Sequence, residues 1–121
     1  MGRLNRFQRI TQQRDFDRVY RRADKVWHTP WFVLFYQKGS RYSVAFVAGK
    51  KVGKAVARNR AKRRLRALFQ ERIAEYRPGS YILVAKAAIL DVEYAELQQA
   101  WSKALERSGA IQPSARRAVR S

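Results

Sequence analysis

The chain contains no cysteine, which excludes disulfides, thiolate metal sites and a cysteine nucleophile. Its single histidine, His28, rules out any arrangement that needs two imidazoles, and this residue reads as a turn or contact residue rather than a base. Acids are scarce, 9 Asp+Glu against 27 Lys+Arg, and they are scattered along the chain. Asp15 and Asp17 are too closely spaced to face the same way on a helix, and no cluster resembles a two-metal nuclease site. A glycine-rich phosphate loop is also missing. No apolar run approaches the roughly 18 residues that span a bilayer, and the opening MGRLNRFQRITQQRDF lacks the apolar core of a secretory signal. These absences predict a cytoplasmic chain with no membrane partner and no catalytic centre of its own.

What is present is positive charge and aromatic surface. The formal net charge is +18, carried on 121 residues of which 46% are hydrophobic, including six Phe, six Tyr and three Trp. That is enough apolar material for a core, so the chain is not a wholly disordered polycation. Concentrating like charge by folding is unfavourable, and a polyanionic partner relieves it. Membranes and acidic proteins are polyanions too, so charge alone does not select nucleic acid.

Periodicity divides the chain into one α+β domain over residues 11–107, flanked by a basic arm (1–10) and a small, polar, basic and disordered tail (108–121). Phe16, Val19, Tyr20 and Ala23 recur at helical spacing after a possible Thr11 cap. Trp31 to Gln37 is a strand apolar on both faces, Lys38-Gly39-Ser40 reads as a hairpin turn, and Tyr42 to Ala48 is a second strand. Its Tyr42, Val44 and Phe46 face is bulky, whereas Ser43, Ala45 and Val47 leave the other face shallow. A helix from about Lys54 to Tyr76 is stopped by Pro78-Gly79. Tyr81 to Lys86 is a further strand, and Asp91 is placed to cap a last helix striped with Tyr94, Leu97, Trp101 and Leu105.

The chemistry concentrates in Lys50 to Arg66, KKVGKAVARNRAKRRLR, with nine basic residues in seventeen and no acid. Like-charge runs usually mean a solvated arm, but here Ala61, Leu65, Leu68, Phe69 and Tyr76 keep one apolar edge through and beyond the run. Asn59, Arg60, Arg63, Arg66 and Gln70 project from the opposite side. A solvated helix face would mix signs; this one is a rigid guanidinium array, and guanidinium clamps phosphate oxygens and stacks on bases.

At this segment the chain resembles a known family. The pattern V-x-x-A-x-x-R-N-R-x-K-R-x-L-R from Val52 to Arg66 is similar to the signature of the bacterial ribonuclease P protein component. The likeness covers about residues 5–107 and includes Phe16, Val19 and Tyr20, the Phe32 to Leu34 strand, the Lys50-Lys51 pair and the Tyr81 to Lys86 strand. Two departures are Ala61, where a larger aliphatic is usual, and Lys86-Ala87 in place of Arg-Lys-Pro.

The resemblance implies an α-β-β-β-α-β-α sandwich with a small central sheet, a left-handed β-α-β crossover and an extra short strand around Lys25 to His28. It implies a catalytic RNA subunit that uses Mg²⁺, with no cofactor on the protein and no protein partner required. The protein would bind that RNA and the 5′ leader of precursor tRNA, promoting hydrolytic removal of the leader. Carried over by position, the RNA-binding residues are Lys50, Lys51, Lys54, Arg58, Asn59, Arg60, Lys62, Arg63, Arg64 and Arg66. The leader cleft would use Phe16, Tyr20, Val33, Phe35 and Lys86. Burial in a core is the competing reading for the first four. A structural ribosomal RNA-binding protein is the alternative function, and a DNA-binding helix is a weaker one, because no dimer seam is evident.

Overall fold

The computed structural model describes residues 6–111. Its five strands and three helices are β1 (Gln8–Arg9), α1 (Gln13–Arg22), β2 (Lys25–His28), β3 (Phe32–Lys38), β4 (Tyr42–Val47), α2 (Ala55–Glu71), β5 (Gly79–Ala85) and α3 (Tyr94–Ser108). Short 3₁₀ turns at Lys50–Val52 and Ala87–Leu90 precede α2 and α3. This is an α+β layer structure on a single sheet of order β1-β4-β5-β3-β2. Strands β4 and β5 are parallel, with Ala45 opposite Ile82, so the chain must cross between them, and α2 makes that crossover. Strand β5 is antiparallel to β3, which in turn pairs with β2.

The expected hairpin at Lys38-Gly39-Ser40 is a chain reversal but not a hairpin, because β5 lies between β3 and β4. Turn residues report a change of direction and say nothing about adjacency. The apolar runs of β3 and β5, by contrast, suit strands buried on both faces. The short strand expected near Lys25 is β2 itself.

One sheet face packs on α2 and α3. Phe32, Leu34 and Tyr36 of β3, Tyr81 and Leu83 of β5, Leu65, Leu68 and Phe69 of α2 and Trp101 of α3 form its core. Phe69 stacks on Tyr76 with ring centroids 4.3 Å apart. Trp101 Nε1 donates to the Tyr76 hydroxyl (3.1 Å), which donates to the Phe69 carbonyl (2.7 Å), so the buried polar groups satisfy one another. Ala61, the smaller residue at a usually aliphatic position, is fully buried. The other face carries a smaller cluster of Ile10, Val19, Ala45 and Ile82 beneath α1.

Several boundaries differ from those the periodicity predicts. Helix α2 ends at Glu71 rather than near Tyr76; Ile73 and Glu75 then bond back three residues to Gln70 and Arg72, a tightened turn that keeps Tyr76 in the core. The N-caps are Gln12 for α1 and Glu93 for α3, neither with a side-chain cap bond, and Asp91 instead closes the preceding 3₁₀ turn. The arm is built in from residue 6 onward, with Phe7 buried among Tyr42, Phe69, Tyr76 and Tyr81, and β1 parallel to β4. At the other end, Gly109 closes α3 in the left-handed conformation (φ 74°), and Ala110 and Ile111 are buried, with Ile111 bridging Tyr76. Residues 1–5 and 112–121 lie outside the described residues.

Gly79 is where the crossover re-enters the sheet. Its φ is 151°, and a Cβ there would lie 2.5 Å from the Gln37 carbonyl oxygen and 2.9 Å from Tyr36 Cε1. Gly79→Ala is therefore expected to destabilise the fold by about 2 kcal/mol or more through strain and overpacking. Urea denaturation checks this, and an unshifted midpoint would show that β3 yields to the extra methyl.

Candidate nucleic-acid interface

Helix α2 is buried along one edge only. Ala61, Leu65, Leu68 and Phe69 have no exposed surface, while Asn59, Arg60 and Arg63 are exposed. Arg58, Lys62, Arg64 and Arg66 flank the buried edge and are half-buried, so their aliphatic stems cover apolar surface and their charged heads reach outward. Lys50, Lys51 and Lys54 are exposed around the helix start. Lys54 is the N-cap, and the first turn contains no acid. Three lysines thus add to the positive end of the helix dipole, an arrangement that repels cations and attracts phosphate.

None of these ten residues forms an ion pair among the described residues, where the two salt bridges are Arg18–Asp15 and Arg72–Glu75. The acid at the end of α2, Glu71, is held by the Tyr94 hydroxyl (2.6 Å) and by Gln98 Nε2 (3.0 Å). Three arginines nevertheless make contacts that the helical wheel does not reveal. Arg64 donates to the Val92 carbonyl at 2.8 Å and reaches the Leu90 carbonyl at 3.4 Å, tying α2 to the loop before α3. Arg60 shares the Leu90 carbonyl at 3.3 Å. Arg66 lies over the Phe46 ring, 5.3 Å from its centroid. Burial, and then the charge of Arg9, lower the Arg66 pKa from its ordinary value.

The second group of residues meets on the opposite sheet face. Val19 anchors α1 with no exposed surface, and Phe16 and Tyr20 project from one flank of the helix. Tyr20 packs edge-on against Phe35 (4.8 Å between centroids), and Phe16 lies 6.2 Å from Tyr20. Tyr20 is 37% exposed and Phe35 half-buried, so this is an open aromatic shelf rather than a sealed core. Val33 is 9% exposed and forms part of the floor opposite Val84. Lys86 follows β5 and is exposed; strand alternation places it on the face of Ile82 and Val84. Val26 on β2, opposite Phe35, extends the apolar surface at 42% exposure; a short strand in an otherwise polar segment had given it no distinguishing signal. Desolvation, and then Asp17, raise the Tyr20 pKa, so its hydroxyl stays neutral at physiological pH.

Among the described residues the remaining acids and the histidine are dispersed. Asp15 pairs with Arg18 at 2.6 Å, Asp17 accepts from Gln13 at 3.0 Å, and His28 is exposed on β2. Among the described residues no three His, Asp or Glu side chains come together as a metal site. No helix among them is long and apolar enough to cross a membrane.

The comparisons with known proteins agree with this geometry. A family model described as Ribonuclease P matches residues 4–109. The ribonuclease P protein component of Nitratiruptor sp. is 45% identical over 100 residues, covering 83% of this chain and 91% of that protein. That of Symbiobacterium thermophilum is 47% identical over 81 residues, 66% of this chain and 70% of the relative. Among solved structures, an RNase P protein from Staphylococcus aureus superposes with a TM-score of 0.75 at 22% identity, covering 86% of this chain and 97% of that one. The RNase P protein from Thermotoga maritima gives 0.70 at 22% identity, over 83% and 96% of the two chains. The chain belongs to the ribonuclease P protein component family, the protein subunit of the enzyme that matures tRNA 5′ ends.

Proposed function

We propose that the two surfaces divide the work of this subunit: α2 and its preceding lysines bind the RNA subunit, and the α1–β3 shelf holds the 5′ leader of precursor tRNA. The observation that carries the first half is a helix whose apolar edge is buried while the ten basic or amide side chains on and before it form no ion pair among the described residues. Phosphates supply the missing counter-charge, and arginine supplies the planar fork that grips them. For the second half, exposed and half-exposed rings beside a shallow floor suit unpaired bases, which stack without sequence readout. Lys86 at the end of the floor is available to a leader phosphate.

In this reading hydrolysis and the Mg²⁺ it needs belong to the RNA subunit. The protein contributes charge that eases phosphate repulsion and a surface that discriminates precursor from mature tRNA. It acts in the cytoplasm and requires no protein partner.

Reconstitution tests the division of chemistry. The purified chain alone is expected to leave precursor tRNA intact, and chain plus cognate RNA to cleave it at low Mg²⁺; cleavage by RNA-free protein would overturn the reading. Arg60→Ala and Arg63→Ala should each flatten the log-log salt dependence of RNA-subunit binding by about 0.7–0.9. An unchanged slope would show that neither guanidinium meets an RNA phosphate. Tyr20→Ala should weaken leader-bearing substrate by roughly 1–3 kcal/mol while sparing leaderless tRNA, and Tyr20→Phe should retain most of the stacking. Equal losses on both substrates would remove the shelf from leader recognition.

A further inference from the structure

The edge of the sheet beside α2 carries a small pocket. Strand β1 is that edge, and it runs parallel to β4 with Gln8 opposite Ser43 and Arg9 opposite Val44. Successive strand residues point to opposite faces, so Phe7, Arg9, Val44 and Phe46 stand together on the face that packs on α2. Between them and Arg66 of α2 lies a cavity of about 230 Å³. Phe7 and Val44 are buried and close its floor, while the half-buried Phe46 offers an open aromatic wall. Phe7 also fastens the strand: its ring meets Tyr42 and Phe69 edge-on, each with centroids 5.0 Å apart. Arg9 is thereby carried on an anchored segment rather than on a loose arm.

Two guanidiniums meet in this pocket without a counter-charge. Arg66 lies over the Phe46 ring at 5.3 Å, and after burial the charge of Arg9 is the second cause of its lowered pKa. No acid lines the cavity, and among the described residues neither arginine has an ion pair or a hydrogen bond to a protein acceptor. Arg64, by contrast, is answered by the Val92 carbonyl and Arg72 by Glu75. Holding like charges together is unfavourable, and an anion relieves it; the planar fork of arginine fits phosphate oxygens. Phosphate alone would leave the aromatic wall unused. A nucleotide supplies both a phosphate and a flat π face, and RNA offers such a base where it is unpaired and unstacked. Because Arg66 belongs to α2, the pocket is continuous with the basic surface of that helix, whereas the Phe16–Tyr20 shelf lies on the opposite face of the sheet.

We propose that this pocket receives one unpaired nucleotide of the RNA subunit, its base against Phe46 and its phosphate held by Arg9 together with Arg66. The assignment to the RNA subunit rests on the reading of α2 above, because the two surfaces are continuous. It extends RNA contact to the edge strand before α1 and adds an unstacked base to what is otherwise phosphate contact.

The test uses the full chain with its RNA subunit over graded salt. Arg9→Ala alters an exposed side chain and is expected to flatten the log-log salt slope of RNA-subunit binding by about 0.7–0.9. Phe46→Leu keeps an apolar side chain against Phe69 but removes the stacking face. It is expected to weaken binding about tenfold with the slope unchanged, because stacking releases no counterion. Base-modifying reagents should find one unpaired nucleotide of the RNA subunit protected by the wild-type chain and reactive with either variant. The preference for leader-bearing over leaderless tRNA should stay the same. Wild-type slope and protection with Arg9→Ala overturn the proposal, a result that stays decisive if Phe46→Leu unfolds; if Arg60→Ala still flattens the slope, the role of α2 stands. A flattened slope with no base changing its reactivity also overturns it, by reducing the pocket to a phosphate contact. So does a loss confined to leader-bearing substrate, which would assign the nucleotide to the leader.

Discussion

Burial of one edge of α2 against the sheet is the interaction on which the other features depend. Leu65, Leu68 and Phe69 are removed from water completely, each contributing on the order of 1.5–3 kcal/mol. Opposing this is repulsion among arginines on the solvent side. For a pair in water even 4 Å apart it is about 1 kcal/mol, and salt screens it further. Burial wins, so the helix holds an array of like charges that an isolated peptide of this composition would not keep ordered. The residual repulsion is of the kind that a bound polyanion relieves.

The same burial organises the far side of the molecule. Because α2 crosses over one face to join parallel β4 and β5, it leaves the opposite face to α1 alone. A ten-residue helix cannot cover a five-stranded sheet. Val19 seals the middle, and the uncovered surface on either flank differs in character. The Phe16–Tyr20 flank exposes rings above Phe35 and Val33, and the Asp15–Arg18 flank borders a hollow lined by Ser40, Arg41, Ser43 and Ser80. One amphipathic helix thereby leaves an aromatic shelf on one side and a polar hollow on the other.

Arginines that look equivalent in the motif have unequal duties. Arg63 faces solvent, whereas Arg64 is engaged by two carbonyls of the loop before α3 and Arg66 lies on Phe46 beside Arg9. Loss of Arg64 would release the Leu90–Val92 segment as well as a positive charge. The basic run is therefore partly exposed charge and partly a means of fastening α2 to its surroundings.

Much of this was legible in the amino-acid order, because periodicity and charge are local properties. The 3.6-residue spacing of Leu65, Leu68 and Phe69 determined that α2 has a buried edge and a basic one, and the apolar residues on both faces of Trp31 to Gln37 suited a strand covered on both sides. The motif from Val52 to Arg66 identified the family. What only the tertiary structure decided were relations between distant segments. Insertion of β5 between β3 and β4 depends on pairing, which turn residues do not encode. Phe7 and Arg9, in a segment too short to show a period, acquire meaning from an edge strand formed by long-range hydrogen bonds to β4. The partners of Arg64 are backbone carbonyls, and since every residue carries one, no side-chain pattern could have named them.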